Sequence, residues 1–258
     1  MGRMRSAPFL LLLSLAAPAT AAPVRATYEV FVAGMAVLQV EATFDLRADG
    51  YAVETRLATR GMAAAIVSGS QTSRSDGRWE GELARPRQFT SDGVWRGRER
   101  RVALEWQANM PRLLALTPPN EEERDLVPEA LQGGTVDSLS ALAVLARQVQ
   151  ATGRCESSAS VFDGRRLSDY AARTERRDAI IPWRNGWAGE ALRCSFEAKQ
   201  VAGFRRDQRP EQAPPSVGTA WMAAPYPGAP PIPVRVEIPN RWFGPATAVL
   251  LRAQPSVP

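Results

Sequence analysis

Apolar and polar residues alternate with a period of two along most of the chain beyond residue 26. Across 37–46, Leu38, Val40, Ala42, Phe44 and Leu46 fall on one face, and Gln39, Glu41, Thr43 and Asp45 on the other. After Asp49-Gly50 the alternation resumes, with Tyr51, Val53, Thr55 and Leu57 set against Glu54 and Arg56. Two alternating runs around Asp-Gly predict a hairpin. Similar runs stand at Arg100–Trp106, Leu192–Ala198 and Val234–Ile238, and Asp76-Gly77, Asp92-Gly93 and Asp163-Gly164 predict further turns. The spacing implies about ten strands. Their polar outer faces predict a mainly β fold, a curved antiparallel sheet or partly open barrel closed over its own core.

One segment breaks this rhythm and predicts a helix over about 137–149. It carries Leu139, Leu142, Leu145, Ala146 and Val149 on one face, with Asp137 placed to cap the first free amides. Ala141 and Ala143 keep it slim enough to lie against a sheet. A helix this short is not stable alone, so its apolar stripe is expected to bury against the strands. An end left near a barrel mouth would make Leu139, Leu142, Leu145 and Val149 the lining of a groove. The stretch Thr117–Gly134, rich in Pro and acidic residues, predicts an irregular connection, and Arg205–Pro215 a mobile hairpin end.

The beginning of the chain follows other rules. Arg3 and Arg5 precede an apolar run from Ala7 to Ala17, and Ala19-Thr20-Ala21 supplies a small-x-small pattern. This predicts a signal peptide over 1–21 with cleavage before Ala22. The run is about half of the ~20 residues that span a bilayer, and Pro18 closes it. The remaining chain, 22–258, is expected to form a single β-rich periplasmic domain with a core over 26–252 and no transmembrane segment. A membrane β-barrel is disfavoured because the outward faces carry Glu, Gln, Arg and Asp instead of a lipid-facing apolar band.

Charge changes the picture little. The whole chain carries +5, from 32 Lys+Arg against 27 Asp+Glu, and losing Arg3 and Arg5 leaves a surplus too small for a nucleic-acid face. The one dense basic patch, Arg96–Arg101, is answered by Glu121-Glu122-Glu123. There is no histidine, which excludes Ser-His-Asp and Cys-His catalysis and removes the commonest metal ligand. Two cysteines cannot build a Cys/His zinc site. In an oxidising compartment Cys155 and Cys194 are expected to form one inward-facing disulfide. It would close a loop of about 40 residues, for which loop entropy gives about 4 kcal/mol as an upper estimate. The seven tryptophans are expected mostly in the core or at its rim. Asp163/Asp169 and Glu121/Glu122 are conceivable acid–base couples, yet nothing in the sequence sets a nucleophile beside them. No catalytic residue, cofactor or metal ligand is assigned.

Several segments, taken together in order, resemble a known family. They are Ala26–Met35, Tyr51, Thr59-Arg60-Gly61, Pro86-Arg87-Gln88-Phe89, Trp95–Arg100 and Pro118-Pro119. Gly134–Leu142, Val161–Arg166, Pro233–Val236 and Phe243-Gly244 follow. The pattern is similar to the exported bacterial proteins of the domain-of-unknown-function family DUF3108. The resemblance implies a periplasmic, β-rich single domain with no established activity, and it supplies no catalytic residues.

Three functions fit these readings. The first is a non-catalytic binding or carrier protein for an apolar or lipid-like envelope molecule, held in a groove beside the 137–149 helix. The second is a cell-envelope interaction or assembly factor using a strand edge or the Arg96–Arg101 ridge. The third, least favoured, is a carboxylate-based hydrolase.

Overall fold

Strands with one buried face pair with their sequence neighbours, because short turns bring antiparallel partners together at the lowest loop cost. The computed structural model describes residues 22–207, 213–240 and 244–256. The expected signal segment 1–21 lies outside them, as do 208–212 of the expected hairpin end and Trp242.

Among the described residues thirteen strands form one sheet, where the alternation had implied about ten. In chain order they are β1 Val24–Val32, β2 Met35–Leu46, β3 Gly50–Thr59, β4 Gly69–Glu80, β5 Leu83–Trp95, β6 Arg98–Gln107 and β7 Met110–Thr117. Beyond the helical middle come β8 Ser157–Phe162, β9 Leu167–Ile180, β10 Gly189–Ala202, β11 Ser216–Ala223, β12 Ile232–Ile238 and β13 Ala246–Pro255. Two meanders, β1 to β7 and β8 to β13, join where β1 pairs antiparallel with β13. The sheet therefore runs from β7 at one edge to β8 at the other and stays unclosed.

Two expected turns are strand interior. Asp76-Gly77 sits in β4 at a register shift, and Asp92-Gly93 sits within β5. Asp-Gly also suits a bulge, where one extra residue twists a strand without ending it. Asp163-Gly164 does form a turn, with the Asp163 carboxylate accepting the Arg165 and Arg166 amides at 2.9 and 2.7 Å.

Three short helical pieces interrupt the strands: α1 Gly61–Ile66, α2 Asn120–Glu123 and a 3-10 turn at Glu129–Leu131. The main helix, α3 Ser138–Thr152, lies against the inner face of β2 to β5 and β8. Asp137 caps it, accepting from the Leu139 and Ser140 amides at 2.9 and 3.0 Å. Such a cap is worth about 1 kcal/mol. The helix outlasts its apolar pattern by a turn and stops at Gly153, whose φ of 68° is the left-handed conformation that ends helices. Ala143 and Ala146 are both 0% exposed, so the axis approaches the sheet closely.

The two open edges are not left bare. Val136 forms a parallel bridge to Val161 of β8, donating to Ser160 and accepting from Phe162. The Thr117 carbonyl at the end of β7 accepts from Arg165 Nη2 at 2.6 Å. The connection 118–137 and the β8–β9 turn thus span the gap between the edges, satisfying backbone groups that would otherwise template another strand.

Candidate functional site

The two flanks of α3 are built differently. Toward β3 and β4 a buried polar network seals the helix to the sheet. The Asp137 carboxylate accepts from Ser75 Oγ at 2.8 Å and from Ser140 Oγ at 2.5 Å, and Ser140 Oγ lies 2.6 Å from the Tyr51 hydroxyl. Burial pushes the Asp137 carboxyl above its ordinary range, against the pull of its four donors. Burial likewise pushes the Tyr51 hydroxyl up.

Toward β8–β12 only the C-terminal half of the helix packs on the sheet, where Leu145, Ala146 and Val149 meet Ala172, Leu192, Ala220 and Met222; beside Leu142 the two stand apart. A cavity of about 650 Å³ opens there. Leu142 and Leu145 form its helical wall, and Tyr170, Phe196, Ala198 and Val236 the opposite one. The register explains the void. Tyr170 pairs with Ala198, and Ala198 with Ser216, so small side chains stand where bulk would have filled the space. Phe196 lies flat over its cross-strand neighbour Gly218, where a Cβ would fall 2.3 Å from the ring. Only glycine lets the ring sit so close to the strand. Burial pushes the Tyr170 hydroxyl to about 12, so it stays neutral.

A second chamber of about 400 Å³ lies between the first turn of α3 and β3–β6. Its wall is polar. Thr55, Ser73, Ser91 and Val102 stand in one cross-strand row, with Leu57, Gln71, Gly93 and Arg100 in the next. Gln71 donates to Ser73 and Ser91 and accepts from Trp95 Nε1 at 3.2 Å. The Trp95 ring covers Gly69 as Phe196 covers Gly218, with a Cβ there only 2.2 Å from the ring. Three arginines, Arg100, Arg165 and Arg166, line this chamber together with a single carboxylate, Asp163. Ser138, Asp163 and Arg166 border both chambers, which adjoin at the first turn of α3.

The expected stripe divides among these surroundings. Leu139 borders the polar chamber, while Leu142 and Leu145 face the apolar cavity. Val149 lies deeper, in an apolar cluster with Leu192, Met222 and the two cysteines. Cys155 and Cys194 are disulfide-bonded and fully buried, with Cα atoms 5.9 Å apart, on the strand face shared by Leu192 and Phe196. The Arg96–Arg101 patch meets its acidic counterpart through one contact, a bidentate Arg100–Glu123 pair at 2.7 Å. The hydrogen bond to Arg100 holds the Glu123 carboxyl below its ordinary value. Asp163 is taken by Arg166 and Asp169 by Ser160.

Trp106 and Trp221 are buried, with their indole N–H groups on the Thr135 carbonyl and Asp178. Trp95, in contrast, belongs to the polar chamber. The alternation did not reveal that chamber, because Gln71-Thr72-Ser73-Arg74-Ser75 is polar on both faces. In a sheet with one covered side, that absence of an apolar face is itself the signal for a polar interior.

The architecture has relatives. A crystal structure of a beta-barrel-like protein of domain of unknown function DUF1849 from Brucella abortus matches with a TM-score of 0.57. It covers 91% of this chain and 98% of that one at 13% identity, a likeness of fold alone. No curated protein sequence matches the chain. The family described as protein of unknown function DUF3108 matches residues 24–250, which take in both meanders up to the first half of β13, with α3, the disulfide and both chambers, and the chain belongs to that family.

Proposed function

We propose that the protein is an exported, periplasmic carrier that holds an apolar, lipid-like molecule in the cavity between α3 and β8–β12 without transforming it. In this reading residues 1–21 are removed before Ala22, and 22–258 folds as one unit. The observation that carries it is the cavity. At about 650 Å³ it falls among ordinary ligand sites, and Leu142, Leu145, Phe196, Ala198 and Val236 give it apolar walls in which Ser168, Gln200 and Ser216 are interspersed. Each CH₂ group transferred from water into it would contribute about 0.8 kcal/mol. An occupant would add dispersion contacts to Leu142 and Leu145. The buried disulfide supports an oxidising compartment. Among the described residues no helix is long and apolar enough to cross a membrane.

Titration with an apolar fluorescent probe such as N-phenyl-1-naphthylamine tests the reading. Saturable binding is expected, and Ala198→Trp, which fills the cavity, should abolish it while the melting temperature barely moves. A wild-type protein that never saturates overturns the carrier. N-terminal sequencing of periplasmic protein should begin at Ala22; a mature chain beginning at Met1 overturns the export step. One observation favours a second reading, an envelope interaction protein: Met62 and Ile66 project from α1 at 73% and 83% exposure.

A further inference from the structure

The chamber beside the apolar cavity has a charge arrangement that a purely apolar ligand leaves unused. Of its three arginines, two are answered by carboxylates. Arg100 is held bidentately by Glu123, and Arg166 by Asp163. Arg165 is not. Its partners are neutral oxygens, the Thr117 carbonyl at 2.6 Å and Asn120 Oδ1 at 3.5 Å. Among the described residues no carboxylate lies within ion-pair distance of it. Its surroundings are cationic in balance: Arg100, Arg124 and Arg166 gather near it, against Glu123 and Asp163. Burial first, and repulsion from Arg100 second, lower its hold on the proton. An anion placed beside it would relieve both costs.

The geometry points to a two-part ligand: an apolar chain in the cavity and an anionic head group, carboxylate or phosphate, received by Arg165 in the polar chamber. This rests on the carrier reading and names the chemistry of its cargo. Ser138 and the Asp163–Arg166 pair border both chambers, so these side chains are what a ligand lying across the first turn of α3 would have to pass to occupy the two at once. On the head-group side the Thr55 and Ser91 hydroxyls can donate to an anion's remaining oxygens, while Ser73 and both Gln71 amide hydrogens are engaged within the wall and hold Ser91 in place. A planar guanidinium suits carboxylate and phosphate oxygens alike. A neutral sugar head would satisfy the hydroxyls and Trp95 yet leave Arg165 uncompensated.

The test is competition against bound N-phenyl-1-naphthylamine on the full mature chain, using dodecanoate, dodecyl phosphate, 1-dodecanol and inorganic phosphate. The two anionic amphiphiles should displace the probe at concentrations about tenfold or more below that of dodecanol, the size expected for one charge-assisted contact. Arg165→Gln should erase that advantage while leaving dodecanol unchanged, and Arg165→Lys, which keeps the charge, should restore most of it. Equal potency of dodecanol and the anions on the wild-type protein overturns the head-group inference and leaves the carrier standing. Displacement by none of the amphiphiles, with no saturable probe binding, overturns the carrier itself. If inorganic phosphate alone suppresses the dodecyl phosphate advantage at similar concentrations, the chamber is a free-anion site and the two-part ligand is wrong. The wild-type ligand series decides the matter even if Arg165→Gln fails to fold.

Discussion

The same helix meets two different environments, and each flank is fastened by a different bond. On the β3–β4 side, α3 is held by Asp137, Ser75, Ser140 and Tyr51, a buried polar cross-link. On the β8–β12 side the fastening is covalent, Cys155 to Cys194, and the nearby space is open. A polar network fixes position only where every group is satisfied at close range. A flank that accepts a guest, as the carrier reading requires, cannot rely on one. A disulfide beyond the cavity floor anchors that flank while leaving the walls apart.

The largest effect should come from cutting the covalent tie. Replacing both cysteines by alanine is expected to cost about 2–5 kcal/mol by denaturant unfolding. Because the bridge stands with Leu145, Val149 and Leu192 below the cavity, hydrogen exchange should rise first in β8–β10, while β2–β5 stay protected. Uniform loosening of both meanders would contradict the division of labour between the flanks.

Small-to-large changes on α3 sharpen the contrast. Ala143 is fully buried and borders neither chamber. Enlarging it to leucine overpacks the sealed contact and should cost about 1–3 kcal/mol. Ala141 is also buried but faces the cavity. Leucine there grows into existing space, so stability should hold or rise while probe affinity falls. Equal destabilisation at the two positions would mean that the cavity does not accept side-chain volume.

What was legible in the sequence follows from which faces are covered. In β2 and β3 one face is core and the other solvent, so Ala42, Phe44, Tyr51 and Val53 announce their burial by alternation. The Asp137 cap and the cysteine pair were equally readable, since each needs only a residue type in the right place. In β4 the inward face is itself polar, so the pattern that marks a strand vanishes where the second chamber lies. The helix stripe misled in a subtler way. Leu139, Leu142, Leu145 and Val149 share one face by periodicity, yet they divide among a polar chamber, a void and a packed cluster, because the stripe is wider than any one of its neighbours. Arg165 gave no signal at all. The role proposed for it depends on Glu123 and Asp163 being taken by other arginines, where the connection after β7 and the β8–β9 turn span the gap between the sheet edges.

The smallest effect concerns the charge buried on the sealed flank. Burial raises the folded-state pKa of Asp137 above its ordinary value of 3.8. A carboxyl raised on folding binds its proton more tightly in the folded state, so its contribution to stability is complete below the unfolded pKa and is lost as pH rises through the folded one. The substitution Asp137→Asn keeps a carbonyl oxygen for the Leu139 and Ser140 amides and removes the ionisation. The Ser75 and Ser140 hydroxyls would then accept from the new amide instead of donating. The variant should therefore gain stability relative to the wild type as pH rises from about 4 toward neutrality, once the unfolded chain has ionised. Carboxylates drawn down by arginine, such as the half-buried Glu123, act in the opposite direction, but they are common to both proteins and cancel in the difference. Paired melting curves across this range measure it. If the wild type gains on the variant with rising pH, the four donors have outweighed burial, and the sealed flank is held by a carboxylate charge.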